Sequence, residues 1–257
     1  MRIYAVANQK GGVGKTTTAV NLSHALANLG RRTLLIDLDP QANATSALGL
    51  EPKEGCSLYE VLQGRATVSS KIVELAENLA MIPAEIDLAG SEVEIARLPN
   101  HLTRVREVLH QFREVGGFRF CFIDCPPSVG ILMTNALAAA DGVIVPIQCE
   151  YFALEGLSKI LQLIEQIRAA TEQDSLRLEG ILMTMFDART RLSQQVVEDV
   201  NRYFPQQVFK TIIPRSIRLA EAPSHGKSIF SYDPNGVGAR VYDQLAREFL
   251  ERVEQRG

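Results

Sequence analysis

The run Gln9, Lys10, Gly11, Gly12, Val13, Gly14, Lys15, Thr16 and Thr17 places three glycines ahead of a lysine and two threonines. Glycines let the backbone curl until successive N–H groups point inward at an anion. A helix that opens on the run adds the positive end of its dipole. Lys15 would then set a point charge on the β- and γ-phosphates of a nucleotide, and the Thr16 hydroxyl is suited to ligate Mg²⁺. ATP and Mg²⁺ are the expected ligands of residues 10–17. The competing possibility is a glycine-rich strand-to-helix turn that binds nothing. Strand, glycines, Gly-Lys-Thr and helix all coincide here, which favours the phosphate site.

Two acids, Asp37 and Asp39, flank Leu38 just before Pro40. In a strand that continues, residues two apart face the same way. One carboxylate can then align a water while the other supports a metal or a lysine. Phosphoryl transfer depends mostly on such positioning and charge. Acids capping a surface turn are the alternative. Asp124 closes the apolar run 118–123 and is followed by Cys125, Pro126, Pro127 and Ser128. A carboxylate there can hold Mg²⁺ through water; a plain strand-end turn is again the alternative.

These groups need a scaffold. Apolar runs predict strands over 3–7, 33–36, 78–83, 118–123, 143–147, 180–185 and 208–213. Helical spacing predicts helices over 15–29, 154–167 and 239–254, the first stopped by Gly30. Strands alternating with helices imply an α/β fold, a mostly parallel sheet with helices on both faces. Ligands of such sheets sit beyond the carboxyl ends of the strands. The 257 residues are 46% hydrophobic and show no linker or repeat, so one P-loop domain over 1–257 is expected. A net charge of −3 excludes a wholly basic nucleic-acid coat but not a local basic patch. The four cysteines form no C-x-x-C pair and read as reduced thiols. Residues 1–12 lack the form of a secretory signal, and no apolar run approaches the roughly 20 residues of a membrane span. A soluble, cytoplasmic protein is expected.

The motif K-G-G-V-G-K-T-T resembles the deviant Walker A motif of the ParA/MinD family of P-loop ATPases. Gln9 stands where the common pattern G-x-x-x-x-G-K-S/T has its first glycine, and Lys10 is an additional lysine. The resemblance implies that Lys10 reaches across a dimer interface to the partner's nucleotide. The block 37–45 resembles the family's switch I, D-x-D-P-Q-G-N-A-T, with Ala42 where glycine is usual. By that likeness Asp39 aligns the attacking water. D-C-P-P-S resembles switch II, which gives Asp124 a Walker B role. The segment 148–157 resembles a family segment after the fifth strand and suggests no particular chemistry. Family members commonly place adenine where the last strand ends, so Pro214 is a candidate contact for the base; a strand-ending proline is the alternative.

Three branches of the family separate by sequence. An iron-sulfur reductase needs bridging cysteines, and only Cys125 lies near such a place. A MinD-like membrane-associated regulatory ATPase needs a C-terminal amphipathic helix with a basic face. Here Arg240, Arg247, Arg252 and Arg256 are balanced by Asp243, Glu248, Glu251 and Glu254 over a packed side of Val241, Leu245 and Phe249. The third branch is the Soj type. Residues 187–227 carry seven Lys/Arg against four acids, an excess of three positive charges. Charge alone would favour an ordinary solvated surface. However, M-F-D-A-R-T, I-P-R-S-I-R-L-A-E-A-P-S-H-G-K and Y-D-P resemble Soj proteins. That likeness implies that Arg189 and Arg218 contact DNA phosphates without reading bases. Two subunits presenting the patch together would add their contacts. The first strand opens at once, so no separate N-terminal helix-turn-helix domain is expected.

The resemblance therefore implies a DNA-partitioning ATPase with weak intrinsic hydrolysis. It implies an ATP-dependent homodimer that binds double-stranded DNA non-specifically and a ParB-type DNA-binding protein that stimulates hydrolysis. It further implies a cytoplasmic, nucleoid-associated protein with no stable membrane association. The alternative is the MinD-like regulator.

Overall fold

The computed structural model describes residues 1–114, 116–171 and 175–255; Arg256 lies outside them. The first half runs β1 (Arg2–Val6), α1 (Lys15–Asn28), β2 (Thr33–Asp37), α2 (Asn43–Ala47), α3 (Tyr59–Leu62), β3 (Val73–Ala76), β4 (Leu79–Ile82), α4 (Leu88–Ile95) and α5 (Arg104–Phe112). The second half runs β5 (Phe120–Asp124), α6 (Ile131–Ala139), β6 (Gly142–Gln148), α7 (Ala153–Thr171), β7 (Arg177–Thr184), α8 (Arg191–Tyr203), α9 (Ile217–Glu221), α10 (Ile229–Tyr232) and α11 (Val237–Gln255). The sheet has seven strands in the order β3-β4-β2-β5-β1-β6-β7. All neighbours pair in parallel except β3 with β4.

Successive residues of β1 face opposite sides of the sheet and enter different cores. Ile3 and Ala5 join the apolar layer that includes residues of α5, α6 and α7. Tyr4 and Val6 join the layer under α1 and α11. Tyr4 meets Phe249 of α11 edge-on at 4.8 Å and stacks on Phe122 of β5 at 5.6 Å. These contacts account for near-continuous apolar strands: each is covered on both faces. They also consume the apolar side of α11, whose Tyr242, Leu245, Ala246, Phe249 and Val253 are all buried.

The predicted strand over 208–213 does not form as a strand. Two isolated parallel bridges, Ile181 with Val208 and Phe186 with Pro214, and separate backbone bonds such as Phe209 N to Ile181 O and Ile213 N to Met183 O, both 2.9 Å, tie this segment to its neighbour. The amides of Lys210 and Thr211 instead donate to the Glu248 carboxylate, at 2.7 and 2.9 Å. Adjacent amides of an extended strand point to opposite edges, so turning both to one carboxylate takes the chain out of regular ladder geometry here. The antiparallel strand β3 has no apolar run behind it and no strand is predicted there; three of its four residues are exposed and Leu75 is half-buried, as befits an edge. Among the described residues, no helix is long and apolar enough to cross a membrane.

Candidate functional site

The glycine-rich run leaves β1 at its carboxyl end, in the middle of the sheet, and enters α1. Gly12 (φ 73°) and Gly14 (φ 87°) take left-handed backbone, the conformation that the curled loop demands and that side chains resist. Gly14 caps α1 with no side-chain hydrogen bond, so the first N–H groups of a 14-residue helix are left for a ligand. Two side chains brace the loop. Asn8 Oδ1 accepts Lys10 N at 3.0 Å while its Nδ2 donates to Pro146 O. Thr184 Oγ1, at the end of β7, donates to Val13 O at 2.8 Å.

A cavity of about 380 Å³ opens at this loop, lined by Gly11, Gly12, Gly14, Lys15, Thr16 and Thr17 on one side and by Asp39, Pro127 and Lys227 among others. Lys15 is only 7% exposed. Burial pushes its pKa below the ordinary lysine value, while Asp124, Cys125 and Asp39 pull it back up. Its ammonium donates to Lys10 O at 3.2 Å.

Asp124 pairs in register with Asp37 on β2 and with Val6 on β1. Burial, and then the adjacent Asp37, push the Asp124 carboxyl well above the usual range, with Thr16 and Lys15 opposing. Among the described residues, neither oxygen of this buried carboxylate has a hydrogen-bond partner of acceptable geometry. An orphaned carboxylate beside a threonine hydroxyl fits a hard divalent cation, which would favour the ionised form and use both oxygen types. No group of three or more His, Cys, Asp or Glu side chains able to hold a metal occurs among the described residues. That agrees with Mg²⁺, which takes few protein ligands and completes its shell with water and phosphate.

Asp37 and Asp39 do not share one face. The strand stops at Asp37, and the Asp39 amide turns back to donate to Asp37 Oδ1 at 3.2 Å. Asp37 also accepts the Thr45 amide and hydroxyl, both at 2.8 Å. Burial raises its pKa to about 6 against the lowering effect of those bonds. Asp37 is thus the fully buried anchor of the loop 38–44, and Asp39 is the acid that lines the cavity.

Ala42 sits in this loop in left-handed backbone, φ 53° and ψ 35°, with 2% exposure. The conformation expected of a glycine is therefore kept by an alanine. Left-handed backbone costs an L-residue roughly 1–2 kcal/mol. Replacing Ala42 by Gly removes that strain but loses a buried methyl, about 0.8 kcal/mol, and some chain stiffness, about 0.5–1 kcal/mol. Urea unfolding should find Ala42→Gly within about 1 kcal/mol of the parent, whereas Ala42→Val should lose about 2–3 kcal/mol through β-branching and overpacking.

A second cavity of about 280 Å³ adjoins the first, with Gly14, Thr17 and Met185 lining both. Ile213, Pro214, Leu219 and Tyr242 give it apolar walls. Pro214 therefore lies where a base could continue from phosphates held at the loop. Met185, at φ 52°, and Thr184 escaped the sequence reading. Their signal was their place at the end of a predicted strand.

Lys10 is not in the lining of its own cavity; its ammonium lies 3.4 Å from Glu150 Oε2. Arg189 and Arg218 are solvent-exposed but paired. Arg189 grips Asp187 through Nε at 2.9 Å and Nη2 at 2.7 Å, which holds the Asp187 carboxyl down at about 2. Arg218 Nη1 lies 3.3 Å from Glu221 Oε2 and 3.4 Å from the Tyr232 hydroxyl. Their two loops adjoin where Arg215 N donates to Phe186 O. Lys227, counted with the basic segment, also lines the nucleotide-sized cavity.

A central glycine-rich loop, a buried lysine on the following helix and a strand-end aspartate define a P-loop nucleotide-binding protein. The family model described as an AAA domain matches residues 1–178. The chain is 50% identical over 250 residues to the sporulation initiation inhibitor protein Soj of Bacillus subtilis, covering 96% of this chain and 97% of that protein. It is 45% identical over 258 residues to the chromosome partitioning protein ParA of Caulobacter vibrioides, covering 100% and 96%. A solved structure of cobyrinic acid a,c-diamide synthase from Mycobacterium smegmatis, with bound ADP and magnesium, superposes with a TM-score of 0.86 at 37% identity, covering 100% and 97%. The chain belongs to the Soj/ParA family of chromosome-partitioning ATPases.

Proposed function

We propose that this chain is a DNA-partitioning ATPase in which nucleotide switches the protein between states. ATP lies with its phosphates on residues 11–17 and its base toward Pro214. Thr16 and Asp124 hold Mg²⁺, whose charge offsets the phosphates. Lys15 neutralises the β- and γ-phosphates, and Asp39 positions the attacking water. Two ATP-loaded copies form a sandwich in which each Lys10 reaches the other's phosphates. Hydrolysis is slow until a ParB-type partner stimulates it, and it then releases DNA. Nucleotide thereby selects the DNA-binding state through differential affinity. The protein acts in the cytoplasm on the nucleoid.

The observation that carries this reading is the position of Lys10. A lysine one residue inside the phosphate loop has its ammonium on Glu150 and outside the cavity it borders. A site meant to work alone has no use for it there. The diamide synthase name borne by one structural relative suggests another reaction, but the Soj and ParA relatives are more alike in sequence. The membrane-associated alternative needs a free apolar helix face, and that of α11 is buried in the core.

DNA retardation across a salt series, with and without ATP, tests the reading. ATP-dependent retention that falls steeply with salt is expected. Binding to anionic liposomes without DNA binding would overturn it. Arg189→Glu combined with Arg218→Glu should leave ATP-induced dimerisation intact and lower DNA affinity at least about 100-fold, since each subunit loses two phosphate contacts and gains two repulsions. Undiminished retention would move the DNA surface elsewhere.

A further inference from the structure

Helix α4 is apolar on both of its sides. Leu88 and Ile95 join the core, while Ala89, Gly90, Val93 and Ala96 lie on the outer side and are exposed. Ile86, just ahead of the helix, continues the outer strip; it is 78% exposed and Val93 60%. A surface helix normally turns polar residues outward. Ala89 and Gly90 leave a notch between the two larger side chains, and nothing lies within 4 Å of where a side chain on Gly90 would begin. Asp87, Glu92 and Glu94 border the strip, and residues 85–96 contain no lysine, arginine or histidine. Glu94 accepts from the Tyr59 hydroxyl at 3.3 Å and from the Gln63 amide, and Glu92 accepts from Leu132 N at 3.4 Å. All these donors are neutral. Among the described residues, none of the three carboxylates has an ion-pair partner. Glu92 also lies against Gly130, where a side chain would not fit. The strip therefore reaches the end of the loop 124–130 that carries Asp124.

Resting on the reading of a stimulated ATPase above, we propose that the outer face of α4 docks the stimulating protein, which presents a short cationic, amphipathic segment. Charge and shape select that occupant. Apolar side chains of the segment fill the notch between Ile86 and Val93, and its lysines or arginines meet Asp87, Glu92 and Glu94. A second copy of this chain would set these carboxylates against their own images about a two-fold axis. Nucleic acid and anionic membranes would meet the same repulsion. Arg97, the next cation along the chain, does not balance three acids. Docking acts on the nucleotide site through Glu92, whose contacts with Gly130 and Leu132 tie α4 to the loop behind Asp124.

The test uses the full chain with ATP and a fluorescent helical peptide that carries leucines on one face and lysines on the other. The same composition in scrambled order and a leucine/glutamate peptide of the same pattern are the controls. Fluorescence anisotropy should show saturable binding of the patterned cationic peptide, weaker binding of the scrambled one and none of the anionic one. Ile86→Ser combined with Val93→Ser should raise the peptide Kd at least about tenfold, the equivalent of one buried aliphatic side chain. Asp87→Lys combined with Glu94→Lys should raise it by about as much and flatten its salt dependence. All four side chains are exposed, a thermal melt checks the fold, and Val93→Ser alone serves should a double variant misfold. Hydrolysis is followed in parallel with DNA and a ParB-type protein. Both double variants should keep the basal rate and ATP-dependent DNA retention, and their stimulated rate should fall at least about tenfold, in step with the peptide Kd. Parental peptide affinity or parental stimulation in both variants would overturn the docking face and leave the partitioning reading intact. Equal binding of the scrambled peptide would reduce the face to general charge attraction and overturn it too. A parent that the ParB-type protein does not stimulate would overturn the stimulated-ATPase reading itself, and the assignment of this face with it.

Discussion

Asp39→Ala should bind ATP as the parent does, still dimerise, and lose turnover by at least about 100-fold. Groups that align or deprotonate a nucleophile typically contribute 10²–10⁴-fold. The geometry isolates this one. Asp39 lines the cavity, and its Oδ1 accepts the Gln41 amide at 3.0 Å, which fixes the carboxylate's direction. Its neighbour Asp37 has no such freedom, because Thr45 and the Asp39 amide occupy it. Removing the Asp39 carboxylate therefore deletes a positioned acid without removing the anchor of its loop. Single-turnover phosphate release, with DNA and stimulating partner present, is the measurement that decides. Near-normal release would remove Asp39 from the catalytic role.

Lys10→Ala should separate monomer from dimer more sharply still. In the monomer the ammonium makes a half-exposed ion pair with Glu150, and such pairs are worth about 0–1 kcal/mol. Thermal stability should barely change, and nucleotide binding by the monomer should stay within a few-fold. In the sandwich each Lys10 would meet phosphates in a desolvated interface, where loss of one charged partner costs about 2–5 kcal/mol. Symmetry doubles the loss, because both subunits lose their lysine. The dimer Kd should rise by about a thousandfold or more. Sedimentation of Lys10→Ala in the Asp39→Ala background, with ATP, reads this without turnover. A dimer of parental strength would mean that Lys10 serves its own cavity after all.

The phosphate loop was legible in the sequence because the glycines that curl it and the helix start that follows lie within nine residues. Glycines supply the left-handed backbone at Gly12 and Gly14, and the helix start supplies the oriented N–H groups. The same holds for the sheet: apolar runs marked β1, β2, β4, β5, β6 and β7, since buried parallel strands are apolar on both faces. Reading the last run as a strand failed because Glu248, remote in sequence, claims the amides of Lys210 and Thr211.

The sequence by itself determined the class of ligand, the α/β scaffold and the acids at the strand ends, all set by spacing along one segment. Only the tertiary structure decided how those acids divide their work. Asp37 became an anchor and Asp39 a cavity wall because Thr45 and β5 fill the space around the end of β2. Tertiary packing likewise brought Thr184 and Met185 to the loop and set Lys10 on Glu150, 140 residues away. Such pairings follow from the order in which strands assemble, and that order depends on the packing of the whole chain rather than on any one stretch of it.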